Sequence, residues 1–565
     1  MIVSGRFVGL LSLALVISAT TALFGCGGGG GGGGGGAPSG PSFVASPPSL
    51  NFSALANSQT PVSQAISITL NGSASGTLFF RVTITGGAVS GIPSVTVTGP
   101  NTGQASIAVA APSTLGAGTH VSTLSIVACT TDANCSGPLL GGSPQTVTVT
   151  YTVAPSLQGD AVVPHVVSSG VAGEVVLRGH GLAALTGVTF GGNSATGFTQ
   201  VSATEVRATY PASLTAGTYP VQVQNGSGPF AFSGSLVVVD PAGYTAATLA
   251  YPSSPGNFRS VVYDAARQAI LVATDTQLLR YAFASLAWQA PAQLSVANLR
   301  DITLSNDGAN LLALTTDSLR QFDPATLVQS GTTNGPVSGP SPVPLNRLAL
   351  ANDGIAVVTA EQFDTYLYPT ANPAFFRSAL NGASFSFGAL PAAGENRSLI
   401  AFIQGQLSPA PPTLQYAASS GLLSASSVDL NRISVNSFDL DPMPSVDRSG
   451  TRIAFNSSVG DFSGINVFND SLTQLGALPG TTAAVVFAPN PAGAAVRAYT
   501  LDSCTLRAFN LTAPLVSGNF VEIVAAPYPI TLGACPGNHP RMAMTPDGSA
   551  AILAGDLQIV IVPTP

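Results

Sequence analysis

The sequence predicts an all-β protein in which two β-sandwiches precede a β-propeller of about seven blades. Of the 565 residues 45% are hydrophobic and only 8% are charged, while Gly, Ser, Thr, Ala and Val are abundant. Apolar and polar residues alternate over short runs bounded by Gly, Pro, Asn or Ser, which is typical of strands joined by turns. In residues 241–565 similar segments recur at intervals of about 40 to 57 residues. This period is typical of four-stranded propeller blades.

Composition also excludes two function classes. The net charge is −7 with only 18 Lys and Arg residues, whereas a nucleic-acid-binding protein needs a dense basic surface. After the first 25 residues no apolar run approaches the ~20 residues of a membrane-spanning helix. We find no Walker A loop, no GxSxG and no GxGxxG after a strand. We therefore expect neither nucleic acid nor a cofactor as a partner.

The amino terminus predicts a lipid anchor. Arg6 precedes the apolar run "FVGLLSLALVISATTALFG", and Leu23-Phe24-Gly25-Cys26 ends it. This pattern resembles a bacterial lipobox, which implies a signal peptide over 1–25 and acylation of Cys26; Phe24 is larger than the residue usual there. The glycines after Cys26 suit a flexible tether over 26–42. By analogy with lipoprotein sorting, Gly27 in place of Asp favours the outer membrane of a Gram-negative bacterium. The alternative is an ordinary signal peptide with a chance cysteine.

Four further cysteines are an even number in an exported chain, which favours disulfides. Three pairings are possible, of which Cys129–Cys135 and Cys504–Cys535 respect the predicted domain boundaries. A zinc site is the competing interpretation, but the chain offers neither a CxxC pair nor a nearby histidine for it.

Residues 43–154 contain about seven short alternating runs, which predict a β-sandwich. The stretch from "LGAGTHVSTLSIVAC" to "SPQTVTVTYTV" resembles the immunoglobulin-like repeats of bacterial surface proteins. In those repeats two hairpin strands flank a loop closed by cysteines.

Residues 155–240 carry a sharper resemblance. "LRGHGL" at 177–182, "VTFGG" at 188–192 and "GTY" at 217–219, with Pro211 and Asn225, follow at the intervals of an IPT/TIG domain. That family has an immunoglobulin-like fold and usually acts as a spacer or adhesion module, so the resemblance implies no catalysis.

Residues 241–565 repeat a unit of strand, Asp-Gly-type turn, strand and a third strand. "RDITLSNDGANLLALT" at 300–315 and "RMAMTPDGSAAILAG" at 541–555 are examples. The units resemble the PD40/TolB-like and YVTN-type propeller repeats of bacterial envelope proteins, most clearly at 438–478. We expect seven blades, with 244–251 supplying a closing strand beside the last one; six or eight blades are alternatives.

Few residues suggest chemistry, and we predict no catalytic residue. The histidines are scattered, and we expect His180 to be a solvated turn residue. A weak calcium candidate is the carboxylate group Asp439, Asp441 and Asp447, near Asp461, although Asp447 matches a blade turn. Arginines begin several repeat units, and they either line the central channel as a cationic ring or cap surface loops, which we favour. These arginines are Arg259, Arg300, Arg347, Arg397 and Arg541.

The sequence supports three functional hypotheses. The first is a surface protein whose propeller binds a protein or a glycan. The second is an envelope polysaccharide lyase or hydrolase with its active site in the propeller channel. The third is a scaffold within an outer-membrane complex. Aromatic residues such as Trp288 and those of 363–387 suit either an exposed sugar-binding patch or, as we favour, the packing of the blades.

Overall fold

The computed structural model describes the backbone of Leu13–Leu15 and most of the chain from residue 40 onward. The described ranges are 40–56, 60–72, 77–91, 93–99, 101–154, 157–183, 185–225, 228–252, 255–338, 341–361, 364–377, 390–403, 414–425, 444–457, 464–480 and 482–564. The described residues are almost entirely β-strands and turns, as predicted. They form two compact units, Met1–Leu157 and Gln158–Pro565. Within the described ranges, no helix combines the length and apolar character needed to cross a membrane.

The first unit contains two sheets that share one hydrophobic core. Phe43 from one sheet meets Phe80 from the other with ring centroids 5.8 Å apart. Of the predicted signal peptide the structure describes only Leu13–Leu15, which pairs with Leu78–Gly86. One sheet has the order Leu13–Leu15, Leu78–Gly86, Gly118–Cys129, Gln145–Ala154, Ser49–Leu55, and the other the order Ser42–Ser46, Gln64–Asn71, Thr102–Ile107, Ser94–Gly99. A short helix spans Pro112–Leu115.

The second unit begins with another pair of sheets, which we call the second sandwich. Alternate residues of its strands, such as Val188 and Phe190, point inward, and the Phe190 ring lies 6.5 Å from that of Tyr210 in the opposite sheet. One sheet has the order Gln158–Val163, Gly173–His180, Glu205–Tyr210, Gly197–Gln200, and the other the order Val166–Ser168, Gly228–Val239, Gly217–Asn225, Gly187–Phe190, Asn193–Ser194.

After the second sandwich, seven antiparallel sheets follow one another in the described part of the chain, here numbered sheets 1 to 7. Sheet 1 comprises Phe258–Asp264, Ala269–Thr274, Gln277–Ala284, Ala287–Trp288 and Ala292–Ser295; sheet 2 Leu299–Leu304, Leu311–Thr315, Ser318–Phe322 and Gln329–Asn334; sheet 3 Leu345–Leu350, Ile355–Ala360, Thr365–Pro369 and Phe376–Arg377. Sheet 4 comprises Leu390–Ala393, Leu399–Ile403, Leu414–Ala417 and Leu422–Ala425; sheet 5 Ser445–Val446, Arg452–Ser457, Gly464–Asn469 and Gln474–Leu478. Sheet 6 comprises Thr482–Phe487, Arg497–Asp502, Thr505–Asn510, Val521–Glu522 and Ile530–Thr531; sheet 7 Arg541–Met544, Ala550–Ala554, Gln558–Pro563 and Ala247–Ala250. Two smaller elements are the hairpin Val337–Ser338 with Ser341–Pro342 and the 3-10 turn Ala265–Arg267.

Neighbouring sheets pack against each other through separate hydrophobic clusters. Each cluster draws its side chains from two successive sheets, and one of them joins sheet 7 to sheet 1. The first strand of each sheet contacts the first strand of the next, and that of sheet 7 contacts that of sheet 1. Ala247–Ala250 pairs with Gln558–Pro563. The strand predicted within 244–251 is therefore present and lies beside the last sheet.

The two ends of the first strands differ in their surroundings. The turns that follow these strands are joined from sheet to sheet: the Asn306 amide donates to the Ala351 carbonyl (2.9 Å), and the Asn352 N–H donates to the Arg397 carbonyl (2.9 Å). The Asn396 N–H likewise donates to the next turn. We call this end the turn end, and the opposite end, where the first strands begin, the start end.

Candidate binding site

A cavity of about 430 Å³ lies between the first strands of all seven sheets. One further segment contributes to its wall, Val163–Val166 of the second sandwich. This segment joins the two sheets of that sandwich and faces the turn end, because the His165 ring lies directly against the turn residue Gly308. The cavity is therefore walled by the second sandwich at the turn end.

Three of the predicted arginines line the start end of the cavity, namely Arg259, Arg347 and Arg541. Arg347 is buried and donates from its guanidinium to the Arg300 carbonyl. Burial lowers its pKa to about 10; Asp301 opposes this shift, whereas Arg541, Arg259 and Arg300 add to it. Four arginines thus lie close enough at the start end for their charges to interact.

The predicted arginines do not form one ring, because Arg397 lies at the other end. The first strand of sheet 4 is Leu390–Ala393, and Arg397 follows it in the turn. The Arg397 guanidinium donates to the Asn306 side chain (2.7 Å). Burial lowers its pKa to about 10, and Asp307 opposes the shift. The prediction that Arg397 begins a repeat unit is therefore wrong, because the first strand of sheet 4 precedes this residue.

The favoured placement of these arginines in surface loops also needs correction. Arg259, Arg347, Arg397 and Arg541 all line the cavity. Arg300 is the exception: its side chain is directed to Glu361, with a nitrogen–oxygen distance of 2.5 Å.

The carboxylates in the cavity wall are each engaged. The Asp301 oxygens accept from the N–H groups of Ile302 (2.9 Å) and Leu348 (3.0 Å), and burial raises the pKa of Asp301. Asp264 pairs with Arg267 at 3.0 Å, and Glu395 pairs with Arg448 at 3.1 Å. These carboxylates hold the framework together, which leaves little scope for acid–base catalysis by them.

His165 lies between the second sandwich and the turn end. Burial lowers its pKa to about 4, Arg397 and Arg267 lower it further, and Asp307 opposes them. The ring is consequently neutral at pH 7. A neutral imidazole can pack against the neighbouring cations without adding charge to them.

Sequence reasoning missed Arg178, which fastens the second sandwich to the seven sheets. Its guanidinium pairs with Glu205 at 3.0 Å, donates to the Asn352 side chain (2.7 Å) and donates to the Ala418 carbonyl. The Arg178 and Glu205 side chains are only 5% and 1% exposed. Arg178 lies in the "LRGHGL" segment. The feature of the sequence that could have identified it is the presence of a charged residue among apolar residues that face inward.

Other contacts support the same attachment. The Glu174 N–H donates to the Pro491 carbonyl (2.9 Å), and Arg448 donates to the Glu174 carbonyl (3.1 Å). His180, at the end of its strand, is exposed and lies 3.5 Å from Asp160. His180 therefore takes no part in the attachment.

Asp447 is a turn residue rather than an open metal ligand. It is fully buried, and its oxygens accept from the N–H groups of Thr451 (2.8 Å), Arg452 (3.0 Å) and Ala495 (2.9 Å). Its predicted companions Asp439, Asp441 and Asp461 lie outside the described residues. Among the residues that are described, no group of three or more metal-ligating side chains occurs.

The structure contains two disulfides, Cys129–Cys135 and Cys504–Cys535. These are the two local pairings that the sequence favoured. Cys26 and the glycine tract that follows it lie outside the described residues.

The aromatic residues serve mainly in packing. The Trp288 ring lies 4.9 Å from that of Tyr244 and 5.2 Å from that of Phe283, near the junction of sheets 1 and 7. Tyr366 and Tyr368 are buried, while Phe376 is half exposed. Parts of 363–387 lie outside the described residues.

Comparisons with known proteins give no family for this chain. No protein-family model matches it, and no curated protein matches it. One solved structure that it resembles is an auxiliary nutrient binding protein from Bacteroides ovatus, with 12% identity over 73% of this chain and 98% of that chain and a TM-score of 0.36. A TM-score this low carries no argument about function.

Proposed function

We propose that this chain is an outer-membrane lipoprotein of a Gram-negative bacterium that binds a protein or a glycan through a seven-bladed β-propeller. In this proposal 241–565 is the propeller, 43–154 is an immunoglobulin-like spacer and 155–240 is an IPT/TIG-like spacer. The observation that carries the proposal is the arrangement of seven successive sheets around one cavity. Their inner strands contact one another from sheet 1 to sheet 7 and back to sheet 1.

The attachment of the second sandwich favours binding over a mobile catalytic lid. The buried Arg178 guanidinium joins the sandwich to Asn352 and Ala418, and the Glu174 main chain joins it to Arg448 and Pro491. Buried ionic groups of this kind are costly to separate. The sandwich therefore holds the turn end fixed and leaves the start end as the working face.

The proposed anchor is tested by location. Cys26→Ser should move the protein from the outer-membrane fraction to the soluble fraction and abolish labelling by radioactive palmitate. Cys129→Ser is the control, because it removes a cysteine elsewhere and leaves the proposed anchor intact. Equal membrane association of the wild type and Cys26→Ser would refute the anchor.

Binding is tested with the full-length, affinity-tagged protein in solubilised envelopes of the bacterium that encodes it, and in parallel on a glycan array. We expect a stoichiometric protein partner or retention of a defined glycan. Arg541→Glu changes the start end and should reduce capture, whereas Asp160→Asn, on the exposed sandwich surface, should leave it unchanged. The absence of both a partner and a glycan would refute the binding function.

A further inference from the structure

We propose that the Cys504–Cys535 disulfide is a site of thiol–disulfide exchange, and that its reduction loosens the chain at the start end. This inference goes beyond the binding function proposed above and does not depend on it. It begins from the difference in exposure between the two disulfides. Cys129 and Cys135 are both buried, at 0% and 7% exposure, whereas Cys535 is exposed and Cys504 is half-buried. An attacking thiol therefore reaches the second disulfide from solvent, while the first is shielded.

The exposed disulfide joins two separate parts of the start end. Cys504 lies in the hairpin tip between the second and third strands of sheet 6. This tip is at the start end because Asp502 pairs with Thr482, where the first strand of sheet 6 begins. Cys535 lies in residues 532–540, which we call the crossing segment. The crossing segment runs from the last strand of sheet 6 to the first strand of sheet 7.

The crossing segment is held from both sides. On the side of sheet 6 the disulfide fastens it at Cys535. On the side of sheet 7 the Leu557 N–H donates to the Pro536 carbonyl (3.0 Å). The Asp556 N–H likewise donates to the Asn538 carbonyl (3.2 Å). Leu557 is 67% exposed, and backbone hydrogen bonds that face solvent open readily. The disulfide is therefore the firm attachment of this segment, and the hydrogen bonds are the weaker one.

The state of this disulfide can be felt in the cavity because the crossing segment ends at the cavity wall. Pro540 is the last residue of the segment, and Arg541 begins the first strand of sheet 7. Both residues line the cavity. Reduction of the disulfide thus loosens a segment that leads directly into the wall at the start end.

The exchange uses a dithiol as the reductant. One thiolate of the dithiol attacks the Cys535 Sγ, so that a mixed disulfide forms and the Cys504 sulfur leaves as a thiolate. The second thiolate then attacks the dithiol's own sulfur in the mixed disulfide, and the Cys535 sulfur leaves as a thiolate. Two electrons pass from the dithiol to the protein, and the two protons that the dithiol loses pass through solvent to the two cysteines. Exposed disulfides are the ones that exchange in this way most readily.

Timed alkylation of the full-length protein tests the exchange site. Free thiols are first blocked with N-ethylmaleimide, dithiothreitol is then added, and the new thiols are trapped with iodoacetamide and quantified by mass spectrometry. We expect Cys504 and Cys535 to be trapped at least tenfold faster than Cys129 and Cys135. Far-UV circular dichroism of the same samples shows that the chain is still folded. Equal rates for the two disulfides, or no trapping of Cys504 and Cys535 while the chain is folded, would overturn the proposed exchange site.

Hydrogen–deuterium exchange of the same protein tests the loosening. The Asp556 and Leu557 amides donate to the crossing segment, so reduction should speed their exchange at least tenfold. The double variant Cys504→Ser/Cys535→Ser lacks the cross-link and should exchange at these amides as the reduced wild type does. Because the wild type is measured before and after reduction, the result does not depend on the double variant being folded.

The double variant Cys129→Ser/Cys135→Ser is the matched control, since it removes the other disulfide. It should keep the exchange rates of the oxidised wild type at Asp556 and Leu557. If these amides exchange equally fast in the oxidised and the reduced wild type, the bond does not hold the crossing segment and the proposed loosening is wrong.

Discussion

The buried Arg178 offers the sharpest test of how the second sandwich is held. Replacing it with methionine keeps much of the side-chain volume but removes the ion pair with Glu205 and the hydrogen bonds to Asn352 and Ala418. Glu205, 1% exposed, then loses its buried guanidinium partner. Removing one member of a buried ion pair costs about 3–5 kcal/mol. We expect Arg178→Met to lower the free energy of unfolding by that amount.

Arg207 provides a matched control in the same sheet. It also approaches Glu205, at 3.3 Å, but its side chain is 36% exposed. Exposed ion pairs contribute about 0–1 kcal/mol. Arg207→Met should therefore cost no more than about 1 kcal/mol. The two variants remove the same kind of charge near the same carboxylate, so their difference isolates the effect of burial and of the contacts to the seven sheets.

Urea denaturation of the full-length protein, followed by far-UV circular dichroism and Trp288 fluorescence, provides the assay. Because Trp288 lies in sheet 1, its signal shows whether loss of Arg178 is felt beyond the second sandwich. The double variant Arg178→Met/Glu205→Met should recover part of the loss, since it leaves no buried carboxylate behind. Equal losses for Arg178→Met and Arg207→Met, or a double variant less stable than the sum of its single changes, would refute this reasoning.

Three further predictions concern the turn end and the disulfides. Because the pKa of His165 is low in the folded protein, the free energy of unfolding should fall by up to about 3 kcal/mol as the pH drops from about 6.5 to 4. His165→Gln should remove that part of the pH dependence in denaturation curves. An unchanged dependence of the unfolding free energy on pH would contradict this prediction. Gly308 and Gly548 have similar positive φ angles, 65° and 69°, but a Cβ at Gly308 would meet the His165 ring, whereas a Cβ at Gly548 would have its nearest neighbour 3.6 Å away. Calorimetry should therefore show a larger loss of stability for Gly308→Ala than for Gly548→Ala. Equal losses of stability would argue against the contact with His165. Because a disulfide that closes a longer loop stabilises more, Cys504→Ser, which opens a separation of 31 residues, should lower the free energy of unfolding by about 3–4 kcal/mol. Cys129→Ser, which opens a separation of 6 residues, should lower it by about 2 kcal/mol. The reverse order in denaturation midpoints would contradict this prediction.

The local features of the fold were predictable because they depend on short-range patterns. Alternating apolar residues located the strands, and turn residues such as Gly308 and Gly548 marked the connections between them. The strand within 244–251 could be predicted because a circular array of sheets needs a partner for its last member. These inferences used spacing and residue type alone.

The cavity was harder to predict because its wall combines residues distant in sequence. Arg259 and Arg541 are 282 positions apart, yet both reach the start end. Alignment by a shared arginine failed at Arg397, since the first strand of sheet 4 carries no arginine. The contacts of Arg178 with Asn352 and Ala418 depend on how the second sandwich docks, which no periodicity in the chain encodes.

Arg347 differs from Arg397 and Arg448 in the groups that surround its charge. At the turn end Arg397 donates to Asn306, and Arg448 meets both Glu395 and the Glu174 carbonyl. Burial of these cations is offset by groups of the protein itself, which indicates a structural role. At the start end the Nε of Arg347 lacks such an acceptor among the described residues, and neighbouring arginines add to the cost of its charge. Because buried donors normally have a partner, the protein compensates Arg347 less fully than it compensates Arg397 and Arg448.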